Sequence, residues 1–520
     1  MSSSDSVLSV SHEDEKKYVT TAAAVTELEV DVAAQLDSGS DETVSPEDAV
    51  RIRRRVDLHI LPLMCLLYLM QFADKTTLGQ SAVLGLLEDA HLTANQFNWL
   101  GTIFYLSYLV FEYPQNLALQ RLPIGKWMSI NIFVWSVSLC THAACKSFGG
   151  LFAVRFIMGI CEGAITAGFL LVTSMFYTRK EQTVRVGYWF LMNGAAIIFL
   201  GFVAFGVLHT KSTHVHPWQW MMIITGLVTF VTSILFWFLF PDSPANAWFL
   251  TPADRRLAAL RIKENQTGME NKHFKIEQFW EAIYDPKTWL FALFAGIAQV
   301  PNSLSNQRQI IINLFGFTPI QTTLLGCVDG LVEIIAIFTA VKIAAAIPNS
   351  RSYVGFAWAI PGMIGDILLI ALSSHRRVGL LFSYWTSIWA FACFPMALAW
   401  MGSVTAGHTK RITTNAIVLI FYAIGNASGP FMWKQQYKPR NRVPFAVILA
   451  CEFSFGLLFL VIRAYLAREN RRRDQEQHDQ TYDDVYVTLK DEYGNEVQKK
   501  IDKAFLDLTD QQNREFRYVL

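Results

Sequence analysis

The stretch Tyr68–Gly85, "YLMQFADKTTLGQSAVLG", sets a carboxylate and an ammonium, Asp74 and Lys75, side by side within an apolar run. An ionised side chain at the centre of a lipid bilayer costs at least about 2.5 kcal/mol, even on the gentlest insertion scale. About 20 mostly apolar residues suffice to cross the hydrocarbon, and the run that contains this stretch, roughly 57–83, is long enough. Whatever offsets the two charges should also explain why they are there.

The surrounding chain reads as membrane protein throughout. Of 520 residues, 52% are hydrophobic and 17% charged, whereas soluble domains carry about a quarter charged residues. The charges gather at the ends and in a few loops. Apolar segments fall at roughly 57–83, 97–119, 126–145, 148–176, 187–208 and 218–240, and again at 287–314, 320–341, 353–372, 379–402, 411–433 and 443–466. This spacing predicts an all-α membrane protein with twelve transmembrane helices in two six-helix bundles, residues 51–240 and 286–466. A linker loop, 241–285, joins them. The acidic, Ser/Thr-rich segment 1–50, with little to bury, reads as a disordered tail, and the charged segment 467–520 as a mostly disordered one with short helical pieces at most. An even number of spans puts both tails on one side, and the excess of basic residues says which. Arg51–Arg55, Arg468–Arg473 and the short loops bearing Arg121, Lys126, Arg179, Lys180, Arg185, Lys410 and Arg411 outweigh Arg376, Arg377, Lys434, Lys438, Arg440 and Arg442 on the other face. Both tails are therefore expected in the cytoplasm. Two such halves facing each other are a layout of secondary transporters, with substrate held near the midplane.

Several function classes drop out. A net charge of +1 says nothing useful about nucleic acid, and no nucleic-acid partner is expected. Seven cysteines, mostly inside apolar runs, have neither metal-ligand nor disulfide-framework spacing. No phosphate-cradling Gly-Lys-Ser/Thr loop supports ATP drive, and no nucleophile stands with a base, so no enzyme and no cofactor is expected.

Asp74 and Lys75 lie about 25 Å along the first span, deeper than snorkelling reaches. In the fourth span, "AVRFIMGICEGAITAG", Arg155 and Glu162 are seven residues apart and share a face with Gly159 and Thr166. Two acids and two bases at similar depth can neutralise one another. Protonating an acid frees a base, which then accepts an anion. The alternative is a set of ion pairs locking two helices; inside a membrane the functional reading outweighs it. Asp74 and Glu162 are accordingly the expected proton-coupling residues, and Lys75 and Arg155 the expected anion-binding ones. Asp329 and Glu333, four apart in the eighth span, form a like-charge pair that should tend to share a proton or find a base, and are candidates for a second proton-coupling site. Pro301 breaks the seventh span at "QVPNSLSNQRQ", where Asn302, Asn306 and Arg308 offer polar contacts. Tyr108 is a candidate pocket residue against a default of core packing. Asp366, Glu112 and Glu452 are lone acids expected to have structural partners.

At these motifs the chain resembles the major facilitator superfamily and, within it, the fungal allantoate permease group of the anion:cation symporters. The resemblance covers roughly residues 50–465 and rests on "FADKTTLGQSA", "FEYPQNLALQRLPIGKW", "RFIMGICEGAITAG", "YTRKEQTVRVGYWFLMNG", "PDSPANAWFLT", "GFTPIQTTLLG" and "TKRITTNAIVLIFYAIGNASGP", with a similar closing "FRYVL". It implies an alternating-access symporter for a small organic anion (allantoate, nicotinate, a vitamin or a short peptide), driven by protons, monomeric, and resident in the plasma membrane. It also implies that Lys75 and Arg155 hold a substrate carboxylate while Asp74 and Glu162 exchange protons. Two departures stand out: Lys75 replaces the more usual Arg, a point charge for a bidentate fork, and Gln120 stands where the superfamily's loop signature has Asp. The lack of a Gly-Pro element in the fifth span, "LMNGAAIIFLGFVAFG", counts against efflux. The competing readings are an exporter of a carboxylated metabolite and a non-transporting nutrient sensor.

Overall fold

Helix starts follow the capping residues. Thr93 and Gln96 form a capping box at the head of one helix, Thr178 and Glu181 at another, and the Ser147 side chain accepts the Gly150 amide at a third. The computed structural model describes residues 44–208, 210, 215–263, 274–317, 319–476, 485–490, 496–501 and 506–520, together with Ala24 and Val25. Most of the expected tail 1–50 lies outside the described residues; helix α1 (Pro46–His59) already begins within it.

In the N-terminal half, α2 (Leu61–Ser81), α3 (Ala94–Arg121), α4 (Ile124–His142), α5 (Phe148–Phe176), α6 (Arg179–Phe190), α7 (Met192–Leu208) and α8 (Pro217–Leu239) follow one another. Helix α3 packs on α5, α4 on α5 and α8, and α2 on α7 and α8. The linker holds α9 (Pro252–Lys263) and α10 (Ile276–Tyr284), so it is not simply a loop. Asp254 of α9 binds Arg51 and Arg55 of α1 at 2.9 and 2.5 Å. The C-terminal half contains α11 (Pro286–Gln299), α12 (Leu304–Leu314), α13 (Pro319–Ala346), α14 (Arg351–Ala371), α15 (Arg377–Ser387), α16 (Cys393–Val404), α17 (His408–Ser428) and α18 (Arg442–Asp474). A small sheet outside the bundles has the order β1 (Ala24–Val25), β2 (Val485–Lys490), β3 (Glu496–Ile501); β1 is parallel to β2, and β2 is antiparallel to β3 with Val487 opposite Lys499.

Among the described residues, nine helices are long and apolar enough to cross a membrane. The other three expected segments are helical too, but each departs from that standard for a visible reason. Helix α3 carries Glu112, Gln115, Asn116 and Gln120, and the 19-residue α4 is long enough but carries Lys126, Ser129, Asn131 and His142. The segment 287–314 is split at Pro301, with a 3₁₀ turn over Pro301–Ser303 between α11 and α12.

The halves meet along α7 with α13 and along α3 with α17. At the first seam the backbones touch: a Cβ on Gly194 would stand 2.3 Å from the Gly330 carbonyl oxygen, and one on Gly330 would stand 2.4 Å from that of Gly194. At the end of the molecule that carries the tails, Gln120 donates to Thr409 Oγ1 across the seam at 2.9 Å, and Arg411 donates to Ser174 Oγ at 2.8 Å. The two halves are thus bridged at the tail end. Gln120 replaces the expected loop carboxylate with a neutral cross-seam bond.

The last residues depart from the expected mostly disordered tail. Residues 506–520 lie against the tail end of the C-terminal half, with Asp510, Phe516 and Tyr518 buried. Asp510 contacts Lys287 Nζ at 2.5 Å and Lys410 Nζ at 3.0 Å, and accepts from Tyr518 Oη at 2.6 Å. Arg473 donates to the Phe516 carbonyl and to Tyr518 Oη, both at 2.8 Å. "FRYVL" is a folded plug.

Candidate functional site

Successive residues on a helix point about 100° apart, so Asp74 and Lys75 cannot face the same way. Asp74 turns toward α8, where its Oδ2 accepts from Thr229 Oγ1 at 3.1 Å. Lys75 turns into the gap between the halves. Its Nζ stands 3.4 Å from Glu162 Oε2 on α5 and 5.9 Å from the ring centroid of Tyr422 on α17. Arg155, two turns from Glu162 on the same face of α5, is 2% exposed, and its Nε and one terminal nitrogen have no hydrogen-bond partner.

Lys75 borders two cavities. One, of about 190 Å³, runs between the halves away from the tail end. Its wall includes Lys75, Arg155 and Arg308 and, among the described residues, no carboxylate. The other, of about 50 Å³, lies at the centre, lined among others by Gln71, Lys75, Asn193, Asn302, Glu333 and Glu452. Neither Asp74 nor Glu162 is on either wall. The first cavity is therefore bounded by cations, with the carboxylates held behind them.

The C-terminal half supplies a matching pair. Arg308, brought to the gap by the Pro301 break, stands 3.5 Å from Glu333 Oε2 and donates to Ser305 Oγ at 3.2 Å. One Arg308 terminal nitrogen is unpartnered. Each half thus contributes one cation–carboxylate pair. Asp329 accepts from Tyr384 Oη at 3.2 Å and Trp385 Nε1 at 2.8 Å, whereas Glu333 is paired with Arg308. Asn302 donates to Asn426 Oδ1 at 2.7 Å, and Asn426 to Gln299 Oε1 at 3.1 Å. Asn306 lies on α12, with its side chain outside the described ones. Tyr108 is buried with its ring 5.9 Å from that of Tyr422, off both cavity walls.

Sequence reasoning missed Thr229, Tyr422 and the Asn426–Gln299 link. Asn426 sits in "GNASGP", where the small residues suggest packing and mask the one amide. Among the described residues, no group of three or more His, Cys, Asp or Glu side chains is placed to hold a metal ion.

Comparison with known proteins gives the family and the fold. The Major Facilitator Superfamily model matches residues 64–430. The thiamine pathway transporter THI73 of Saccharomyces cerevisiae is 32% identical over 477 residues, covering 91% of this chain and 87% of that one. The allantoate permease of the same yeast is 30% identical over 508 residues, covering 94% and 90%. Among solved structures, the proton:xylose symporter XylE superposes with a TM-score of 0.62 at 12% identity, over 79% of this chain and 95% of that one, a likeness of fold. The chain belongs to the Major Facilitator Superfamily, in its allantoate-permease-like group, and is a multi-pass membrane transporter rather than an enzyme.

Proposed function

We propose that this transporter is a proton-coupled symporter that imports a small organic anion by alternating access. One observation carries the reading: Arg155, almost fully buried and with two guanidinium nitrogens unpartnered, borders a cavity whose wall also includes Lys75 and Arg308 and, among the described residues, no carboxylate. A buried cation without a partner is costly, and a carboxylate ligand supplies what is missing. The substrate carboxylate enters from the end away from the tails, engages Arg155 and draws Lys75 off Glu162. Glu162, stripped of its counter-charge in a water-poor setting, takes a proton. Binding of anion and proton is then linked through the 3.4 Å Lys75–Glu162 contact. With twelve spans, both tails in the cytoplasm and the plasma membrane as its site, the same cycle performs uptake, with the protein acting as a monomer.

Allantoate transport by a 30%-identical relative suggests the class to try first. In vesicles reconstituted with the purified protein, adding an external anionic substrate acidifies the lumen. A broad panel of small carboxylates that produces no substrate-linked proton flux overturns the proposal.

A further inference from the structure

Two carboxyl groups in the C-terminal half belong to neither ion pair. Glu452 on α18 is 1% exposed and Asp366 on α14 is fully buried. Neither Glu452 oxygen has a hydrogen-bond partner, and Asp366 has one: its Oδ1 accepts from Ser387 Oγ at 2.7 Å, while Oδ2 has none. The two groups are neighbours. A Cβ on Gly362 would fall 2.6 and 2.8 Å from the Glu452 oxygens, so the Glu452 carboxyl sits in the notch this glycine leaves on α14. Gly362 and Asp366 are one helical turn apart on the same face, about 5–6 Å. Glu452 also lines the central cavity, so one member of the pair reaches the space shared by both halves.

Among the described residues, no nearby cation compensates them. Helix α15 offers Ser387 and Tyr384, the latter bound to Asp329; α16 offers only Cys393, and Cys451 adjoins Glu452 on α18 itself. On α13, Glu333 is paired with Arg308. Helix α11 contributes Lys287, at the tail end and engaged by Asp510. Across the cavity, Lys75 is held by Glu162, and Tyr422 is neutral. Packing alone does not require acids here, because an apolar side chain fills such a notch without the cost of stripping a carboxylate of water. A metal cation is no better match: calcium and magnesium take about six or more oxygens, and beside Glu452 the notch presents Gly362 and the Ala390 methyl.

We infer that Asp366 and Glu452 form a proton-binding site, in which the two carboxyls hold one exchangeable proton that Glu452 takes from, and returns to, water in the central cavity. The step is the formation of one O–H bond on a carboxylate by a proton from hydronium, changing the pair's charge from −2 to −1. It places a second proton store in the half opposite Glu162 and does not depend on the identity of the transported substrate.

The test needs no substrate. The full-length protein in lipid nanodiscs is titrated while the infrared C=O stretch of protonated carboxyl groups is recorded, in light and in heavy water. Wild type shows a band that is deuterium-sensitive and changes with pH. Glu452→Gln and Asp366→Asn each remove that component, and Glu452→Asp, which keeps a carboxyl, restores it. A band left unchanged in both Glu452→Gln and Asp366→Asn overturns the inference, as does a component that responds to sodium and not to pH. Because the readout is protonation itself, its failure is distinct from a failure to find anion-coupled proton flux.

Discussion

Replacing Asp510 with Asn tests whether the C-terminal segment is held by charge. Asp510 is the centre of a buried cluster in which Lys287 and Lys410 also meet Asp285, at 3.4 and 2.8 Å, and Lys410 meets Glu281 at 2.7 Å. Burial alone would raise the Asp510 carboxyl, but Lys287 and Lys410 hold it well below the usual carboxylate range. The substitution removes two charge-assisted contacts, each worth about 1.5–3 kcal/mol. Both lysines keep another acid, so no cation is orphaned and the low end of that sum applies, about 3 kcal/mol. That corresponds to roughly 150-fold more frequent opening of the segment. The assay is hydrogen–deuterium exchange of the peptide 506–520, whose Asn513, Phe516 and Tyr518 amides are bonded to Thr509 O, Asn513 O and Asn470 Oδ1. Acid should act differently. A carboxylate with a depressed pKa stabilises the folded state above its unfolded value, about 3.9, and loses that contribution only as pH falls through its folded value. Wild-type protection from Asp510 should therefore be flat from neutral pH to about 4 and fail only in stronger acid. Exchange in Asp510→Asn as slow as in wild type at neutral pH would refute this reasoning. The segment also touches the gate: Asp507 Oδ1 accepts the His408 amide at 2.7 Å, next to the Thr409 that bridges to Gln120. Its release should therefore speed alkylation of a cysteine placed at the tail-end seam.

Other changes probe the gap itself. Arg155→Ala should weaken binding of a carboxylate substrate by about 10- to 150-fold, the worth of one charge-assisted bond, as read by isothermal titration; Arg155→Lys should recover only part because it lacks the planar fork. Glu162→Gln should bind the anion but lose accumulation driven by a pH gradient, while exchange of internal for external substrate continues; accumulation equal to wild type would remove Glu162 from the coupling. Gly330→Ala puts a methyl 2.4 Å from the Gly194 carbonyl oxygen and should destabilise this packing by about 1–3 kcal/mol, visible as a lower melting temperature in detergent, whereas Gly326→Ala, with nothing within 4 Å of its added Cβ, should melt like wild type.

The helical fold and the break at Pro301 are legible because hydrophobic run length and a missing amide act locally. The polar character of α3 lowers its apolarity without preventing a helix, because its buried acid Glu112 accepts from Asn116 Nδ2 at 2.7 Å. Non-local pairing is what the sequence leaves open. The 506–520 segment is rich in charge, so composition alone reads it as solvated. Its order comes from Lys287, Lys410 and Arg473, more than forty positions or even hundreds of positions away along the chain.

The charges in "FADKTT" make the same point within a single helix. Residues one apart point about 100° apart, and residues seven apart fall about 20° from alignment but about 10 Å along the axis. The first rule separates Asp74 from Lys75, sending one to Thr229 and the other to the gap. The second keeps Arg155 and Glu162 on one face but at different depths. Glu162 therefore meets Lys75, while Arg155 is left facing the larger cavity with nitrogens unpaired. Had the spacing in α5 been three or four, both would sit within reach of Lys75 and of each other, the guanidinium would be quenched, and the cavity would lose the unpaired cation this helix supplies. The seven-residue interval is what lets one helix hold a proton-accepting carboxylate and an unquenched cation on the same stripe.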